Sequence, residues 1–477
     1  MLESVNYQAI KGVMWSAVER FSVQGIQFVL SIIIARLVLP SEYGLIAMLG
    51  IFLAIAQSFV DSGFSNALIQ KKGRTEVDFS TVFYFNIFIA FAIYGVLFIS
   101  APYIALFYRE PELTVVTRWV GLNVVLSSFM LVQRTRLLIN SDFRTMAKAS
   151  LIAVIFSGAI GVILAWLGYG VWALVAQSLG NSFLNVVMLW IFVAWIPKRS
   201  FSIDSFRELF AFGSKLLVGG LLHTIYLNLY TLVIGRFFTS AQVGYFNRSQ
   251  TFAVFPVTNL TEIVSRAMYP ALCDRQGEEE FLIRTFFNYL RSTVFLVFPL
   301  MIGLAVLSGS LIEVLLTEKW LPAASLMSIL CIAYMWDPLM HFNWQLLNVK
   351  GRSDLSLKAE IIKKALAFSI LFTSIPWGIH AICWGLLVYS LFDMITISFF
   401  VRKIYPFDLR RELMDIFPIL IGSLLMGLCM YVSLLLTSIP IFRLAIGSVV
   451  GIFSYLFFCY LFRLREFKFI KQIIKKV

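Results

Sequence analysis

The stretch Ile33–Ala47, IIARLVLPSEYGLIA, recurs 200 residues later as Val233–Asn247, VIGRFFTSAQVGYFN, with Arg36 over Arg236 and Gly44 over Gly244. In each copy a long apolar segment ends on an arginine, turns through small or polar residues, and enters the next segment through a glycine. That is the pattern of a helical hairpin crossing a membrane, used twice. The same offset carries Phe52 onto Phe252 and Ser65 onto Ser265 without a gap. Two homologous halves are therefore expected, with a substrate held between them near mid-membrane.

Composition agrees with a membrane chain. Hydrophobic residues fill 60% of the 477 positions and charged residues 14%, and a mean hydropathy of +0.86 excludes an ordinary soluble domain. The five cysteines, Cys273, Cys331, Cys383, Cys429 and Cys459, lie far apart with no CxxC pair and no histidine cluster nearby. No metal, cofactor or disulfide framework is expected from them. The opening MLESVNYQAIKGVMW lacks a short apolar core with a cleavage site, so no cleaved signal peptide is expected.

Crossing the hydrocarbon takes about 20 apolar residues. The chain holds fourteen such runs, near 12–38, 43–69, 80–106, 114–139, 149–167, 171–196, 209–238, 242–270, 286–312, 323–349, 359–375, 378–401, 414–437 and 440–462. With a cytoplasmic N-terminus, the inner connections hold most of the Lys and Arg, among them Lys71, Lys72, Arg74, Arg134, Arg136, Lys198, Arg291, Lys363, Lys364 and Arg411. The outer ones hold only Arg109, Arg118, Lys319 and Arg443. Both termini are thus predicted inside. Most of the formal charge of +13 is topology signal, and it calls for no nucleic acid. The tail RLREFKFIKQIIKKV reads equally as an interfacial amphipathic helix or as a basic stop beside anionic lipid.

The duplication runs further. Lys148 and Leu137 lie over Lys358 and Leu347 at an offset of 210, and VWALVAQSLGN lies over CWGLLVYSLFD at 212, pairing Trp172 with Trp384. Six helices per half give both halves the same orientation about an axis along the membrane normal. The predicted fold is all-α, with 14 transmembrane helices in two pseudo-symmetric six-helix lobes plus two C-terminal helices. The lobes are residues 1–200 and 201–411, followed by the helix pair 412–462 and a basic cytoplasmic tail 463–477.

Polar residues inside spans are costly, so the helical face they occupy matters. At 100° per residue, Ser16, Arg20, Gln24, Gln27 and Ser31 share one arc. Lys215, His223, Tyr226 and Tyr230 share another, and so do Arg248, Phe252, Phe255, Asn259, Glu262 and Arg266. Gln57, Asp61 and Ser65 align, as do Asp337, His341, Trp344 and Asn348. A single stripe is explained as well by hydrogen bonding between helices; five stripes together predict a solvated cavity. Its character is cationic, with Arg20, Lys215, Arg248 and Arg266 placed to hold phosphate or carboxylate. Gln24, Gln27, His223, Tyr226, Tyr230, Asn259 and Trp344 line it for sugars. Asp61, Glu262, Asp337 and Asp393 are the candidates for ion coupling. There is no Walker loop, no metal-spaced His/Cys set and no nucleotide-sugar site, so no catalytic residue, and no enzyme, is expected.

The sequence resembles the Wzx-type polysaccharide flippases of the superfamily that also holds the MATE drug exporters and lipid II flippases. The resemblance rests on ARLVLPSEYGLIAM, LVQRTRLLINSDFRTMAKASLI, GYGVWALVAQ, GRFFTSAQVGYFNRSQ and LLNVKGRSDLSLKAEIIKK, and covers nearly the whole chain. It implies a MATE-like fold of two six-helix lobes around a central cavity. It also implies alternating access in the bacterial inner membrane, moving an undecaprenyl-diphosphate-linked oligosaccharide from the cytoplasmic to the periplasmic leaflet for O-antigen, capsule or exopolysaccharide. The implied partners are that lipid-linked substrate, membrane lipids, and polysaccharide polymerase and export machinery, with the chain acting as a monomer. A MATE-like ion-coupled exporter of small molecules would want an acidic, aromatic site. A membrane polymerase or ligase would want a large outer loop bearing arginines or histidines.

Overall fold

The computed structural model describes residues 22–61 and 63–467. Ser16 and Arg20 of the first stripe, and most of the tail segment, lie outside them. Among the described residues there are helices and no strands. In the first half these are α1 (Ser22–Leu37), α2 (Pro40–Asp61), α3 (Phe64–Gln70), α4 (Glu76–Tyr108), α5 (Leu113–Val120), α6 (Leu122–Ile139), α7 (Phe143–Trp166) and α8 (Val171–Phe192). Then follow α9 (Ile203–Phe237), α10 (Ser240–Asp274), α11 (Glu279–Leu316), α12 (Pro322–Tyr334), α13 (Asp337–Val349), α14 (Ser353–Ser374), α15 (Ile379–Val401), α16 (Leu409–Ser433) and α17 (Pro440–Leu461). Eleven of the described segments are long and apolar enough to cross a membrane, three of them formed by the consecutive pairs α2/α3, α5/α6 and α12/α13. Those pairs were each expected as one unbroken run. Where α5 gives way to α6 at Gly121, freed carbonyls find new donors. The Tyr94 hydroxyl donates to Arg118 O at 3.1 Å, and the Asn123 amide to Val120 O at 2.9 Å. A break inside a membrane requires this kind of compensation.

The described chain divides into two compact units, Met1–Gly244 and Tyr245–Val477, and the division falls inside α10. The repeated hairpins that open α2 and α10 carry the same end-capping. Glu42 Oε2 accepts from Leu39 N at 2.7 Å, and Gln242 Oε1 accepts from Thr239 N at 3.1 Å, each side chain reaching back from the first turn to the residue just before its helix. The matched glycines permit a close crossing. A Cβ on Gly44 would overlap the Ser240 carbonyl, and one on Gly244 would overlap the Pro40 carbonyl, and these two partners are themselves related by the 200-residue offset. Ser65 Oγ meets Thr135 Oγ1 at 2.9 Å, and its equivalent Ser265 accepts from Gln345.

Unit 1 is closed along α2 and α9. Gly235 packs on Tyr108, whose hydroxyl donates to Met48 O at 3.0 Å. Ser58 Oγ lies 3.3 Å from Thr224 Oγ1. Gly63, with φ of 70°, has the Gly213 carbonyl 2.7 Å from where its Cβ would stand; positive φ and close backbone approach both demand glycine. At the end of this seam that carries the basic loop, Lys71 bridges Asp78 at 3.0 Å and Glu208 at 2.7 Å. Burial alone would lower the Lys71 ammonium, but the two carboxylates outweigh it and hold its pKa above the ordinary value. The segment between α8 and α9 is fastened to the first turns of α4. Trp195 Nε1 donates to Glu76 at 2.6 Å, Lys198 N to Ser80 at 2.9 Å, Ser202 N to Thr81 at 3.1 Å, and the Ser205 hydroxyl to Asp78.

In unit 2, α16 and α17 pack against α11. Arg291 of α11 holds Asp415 of α16 at 2.9 Å and Glu466 at 2.6 Å. Glu412, fully buried, accepts from Asn343 at 2.7 Å and Ser398 at 3.0 Å, which fixes the start of α16 to α13 and α15.

Candidate functional site

Unit 1 contains a polar cavity of about 740 Å³ lined by α2, α3, α6, α8 and α9. Gln57 and Asp61 enter it from α2, Asn66 from α3, Asn123 and Arg134 from α6, and Ser182 from α8. α2 ends at Asp61, so this carboxylate stands at the negative end of a helix and needs a nearby cation or donor. Gln57 Nε2 donates to it at 3.1 Å, and the Arg134 guanidinium attracts it through space. Asn123 is braced from two sides: Ser182 Oγ donates to its carbonyl at 2.6 Å, and its amide donates to Ser178 at 3.1 Å.

A second cavity, of about 200 Å³, shares Met130 and Arg134 with the first and adds Gln27 of α1, Ser150 of α7, and Asn181 and Asn185 of α8. Arg134 therefore stands between two polar chambers. Its side chain is exposed to them and makes no hydrogen bond or ion pair among the described residues. An exposed guanidinium with five donors, set among carboxamides and hydroxyls, is arranged to take an anion with oxygen acceptors.

Of the residues expected from sequence, Gln27 and Asp61 are brought together at these chambers. Arg20 lies outside the described residues, and Gln24 is half-buried on α1. Lys215 and His223 are exposed on α9, but Leu216, Leu217 and Gly220 line the larger chamber there instead. Tyr226 is half-buried and Tyr230 buried on the same helix. In unit 2, Arg248 is 8% exposed and engaged within the protein, so it is not presented to an open chamber. Arg266 pairs with Glu262 at 3.1 Å, and the Asn259 amide donates to Phe255 O of its own helix at 2.8 Å. Trp344 keeps 39% of its surface exposed on α13. His341 lies 3.2 Å from Ser265. Asp337 and Asp393 meet at one cluster with Lys363.

Arg134 was expected in a cytoplasmic connection, where its charge counted toward topology. The signal that finds it is helical spacing. Residues 127, 130, 131, 134 and 138 fall on one face of α6, the face that lines the larger cavity.

The family model described as "Polysaccharide biosynthesis protein" matches residues 33–325, more than half of the chain. The chain belongs to the polysaccharide biosynthesis protein family. It is 25% identical to the teichuronic acid biosynthesis protein TuaB of Bacillus subtilis, with 96% of each chain covered. It is 24% identical to the lipopolysaccharide biosynthesis protein WzxC of Escherichia coli, over 76% of this chain and 74% of that one. Among solved structures it is similar to the lipid II flippase MurJ in an inward closed conformation, with a TM-score of 0.77, 15% identity, and 94% and 98% of the two chains covered. An inward-facing multidrug resistance MATE transporter of the MOP superfamily gives a TM-score of 0.62 at 13% identity, covering 81% of this chain and 97% of that one. The family member described here thus has the all-helical fold of the MurJ and MATE transporters, as the sequence resemblance implied.

Proposed function

We propose that this polysaccharide biosynthesis protein is a transporter, not an enzyme, and that it flips a lipid-linked oligosaccharide across the membrane by alternating access. The observation that carries the reading is Arg134: a guanidinium between two polar chambers that makes no hydrogen bond or ion pair among the described residues, within helices apolar enough to span a bilayer. Keeping such a charge there is costly, and an anionic substrate repays it. The substrate is an undecaprenyl-diphosphate-linked glycan, the diphosphate meeting Arg134 and the carboxamides of Asn123, Asn181 and Asn185 facing sugar hydroxyls. The relatives support this, being named for teichuronic acid and lipopolysaccharide biosynthesis, and a third, ExoT of Rhizobium meliloti, as a succinoglycan biosynthesis transport protein.

In this reading the chain crosses the inner membrane fourteen times, as two six-helix lobes and a C-terminal pair, with both termini cytoplasmic. It works as a monomer beside the polymerase and export machinery. α1, α10 and α14 supply the three further crossings, α10 carrying Arg248, Glu262 and Arg266, and α14 carrying Lys358, Glu360, Lys363 and Lys364. Reporters fused after Gly73, Arg199 and Lys403 should read cytoplasmic, and those after Glu42, Gly168 and Ser240 periplasmic. One inverted site removes a crossing beside it.

The test of function is export of the lipid-linked glycan. A charge-assisted hydrogen bond is worth about 1.5 to 3 kcal/mol. Arg134→Gln should therefore slow export roughly tenfold to a hundredfold, with membrane abundance unchanged, if the contact tightens in the transition state. Arg134→Lys separates charge from fork geometry. Export at the wild-type rate in Arg134→Gln would remove the cavity from the mechanism.

A further inference from the structure

The repeat offers an internal comparison between equivalent places in the two units. In unit 1 the smaller chamber is lined by Ser150 and Asn181, with Ala153 one turn beyond Ser150 and Ser127 on the neighbouring helix. At the repeat offsets of 210 and 212, Ser150 becomes Glu360, Ala153 becomes Lys363, Ser127 becomes Asp337 and Asn181 becomes Asp393. Where unit 1 has three neutral polar side chains unit 2 has carboxyls, and where unit 1 has a methyl group unit 2 has a chain ending in an ammonium.

The structure assembles these four. Lys363 of α14 is 7% exposed, its Nζ 3.0 Å from Asp393 Oδ1 of α15 and 2.9 Å from Glu360 Oε1. The Tyr389 hydroxyl donates to the other Asp393 oxygen at 3.3 Å, and Lys364 lies 3.6 Å from the other Glu360 oxygen. Asp337, in the first turn of α13, interacts through space with both Asp393 and Lys363. Carboxyls from three helices therefore converge on one buried positive charge. Burying a lysine is expensive, and a pair broken by removing one partner leaves an uncompensated charge behind. Carboxylate oxygens gathered from several helices are also the donor set that hard cations select.

We propose that this pocket in unit 2 is a monovalent-cation site permanently filled by the chain's own Lys363 ammonium. Removing that ammonium converts the pocket into a site for soluble Na⁺. The intact protein accordingly takes no sodium ion there, because the tethered cation cannot leave. The inference stands apart from the identity of the transported substrate, since it is read on the purified protein.

The experiment compares the thermal melting of the full-length protein in detergent, in choline chloride and in sodium chloride of equal ionic strength. The wild type should melt at the same temperature in both. Lys363→Ala should melt lower in choline and recover in sodium. A site with Kd of about 10 mM would raise its folded-to-unfolded ratio roughly tenfold at 100 mM Na⁺. The charge-balanced double variant Lys363→Ala with Asp393→Asn should lose most of that response. A Lys363→Ala protein that melts alike in both salts overturns the proposal, as does a wild type shifted as far as the variant. If Lys363→Ala is recovered only from sodium, the proposal is upheld. If it is recovered from neither salt, whether or not the double variant folds, the pair is a packing element and the proposal fails.

Discussion

Arg134 keeps its guanidinium open to two chambers, whereas Lys363 has its ammonium enclosed by Asp393 and Glu360 at 3.0 and 2.9 Å. Surroundings make the difference: carboxamides and hydroxyls solvate a charge without neutralising it, and carboxylates cancel it. Asp61 sits between these cases, attracted by Arg134 and bonded among the described residues by Gln57 at 3.1 Å. If proton or sodium traffic is coupled to the cycle through Asp61, Asp61→Asn should change the pH or sodium dependence of glycan export while leaving abundance intact. An ion dependence that stays the same assigns Asp61 to packing. Neither Arg134 nor Lys363 stood out from the sequence, and for one reason. Each lies near the basic end of an apolar run, where the excess of Lys and Arg in inner connections already accounts for a positive charge. Face arithmetic applied across α6 and α14 would have set both apart. The stripes of α2 and α13 were legible because Asp61 and Asp337 have no such explanation.

At the scale of the element, the repeated hairpin was the most legible feature, because the glycines that permit its crossing are matched in the sequence. What the sequence concealed was their partners: Gly44 faces Ser240, and Gly244 faces Pro40. Glycine in a helix ordinarily costs about 1 kcal/mol relative to alanine. Gly95 of α4 has nothing within 4 Å of where a Cβ would stand, so Gly95→Ala should be neutral or raise the melting temperature. Gly44→Ala should do the reverse, forcing the α2 and α10 turns apart, and melting of the two purified variants checks the sign. The breaks at Gly121 and between α12 and α13 were not legible. Hydropathy averages over them, and the side chains that satisfy the freed carbonyls, such as Tyr94, come from elsewhere in the chain.

Across the whole molecule, the connection between the halves is fixed rather than loose. Residues 195–205 are tied to Glu76, Asp78, Ser80 and Thr81 by consecutive hydrogen bonds, and Asp78, 4% exposed at its side chain, also holds Lys71. Asp78 accepts from Lys71 and from the Ser205 hydroxyl, and a hydrogen bond to a charged group is worth about 1.5 to 3 kcal/mol. Asp78→Ala should therefore destabilise the protein strongly, and protease cleavage near Lys198 should rise with it. Cleavage unchanged from the wild type would mean that the segment is held by its apolar contacts alone. The compact units divide at Gly244, inside α10, and the repeat itself has its period near 200 residues. The sequence carried the period of the duplication but not the packing of α9, which depends on Ser58, Gly63 and Met48 from the other half.

That packing bears on how such a chain could arise. α9 is the first helix of the second copy, and it covers α2, the second helix of the first. A single-copy ancestor ending near residue 200 would have left that face of α2 bare. Burying that face would have needed a helix supplied by another molecule, so carrying two copies on one chain turns an association between molecules into a contact within one.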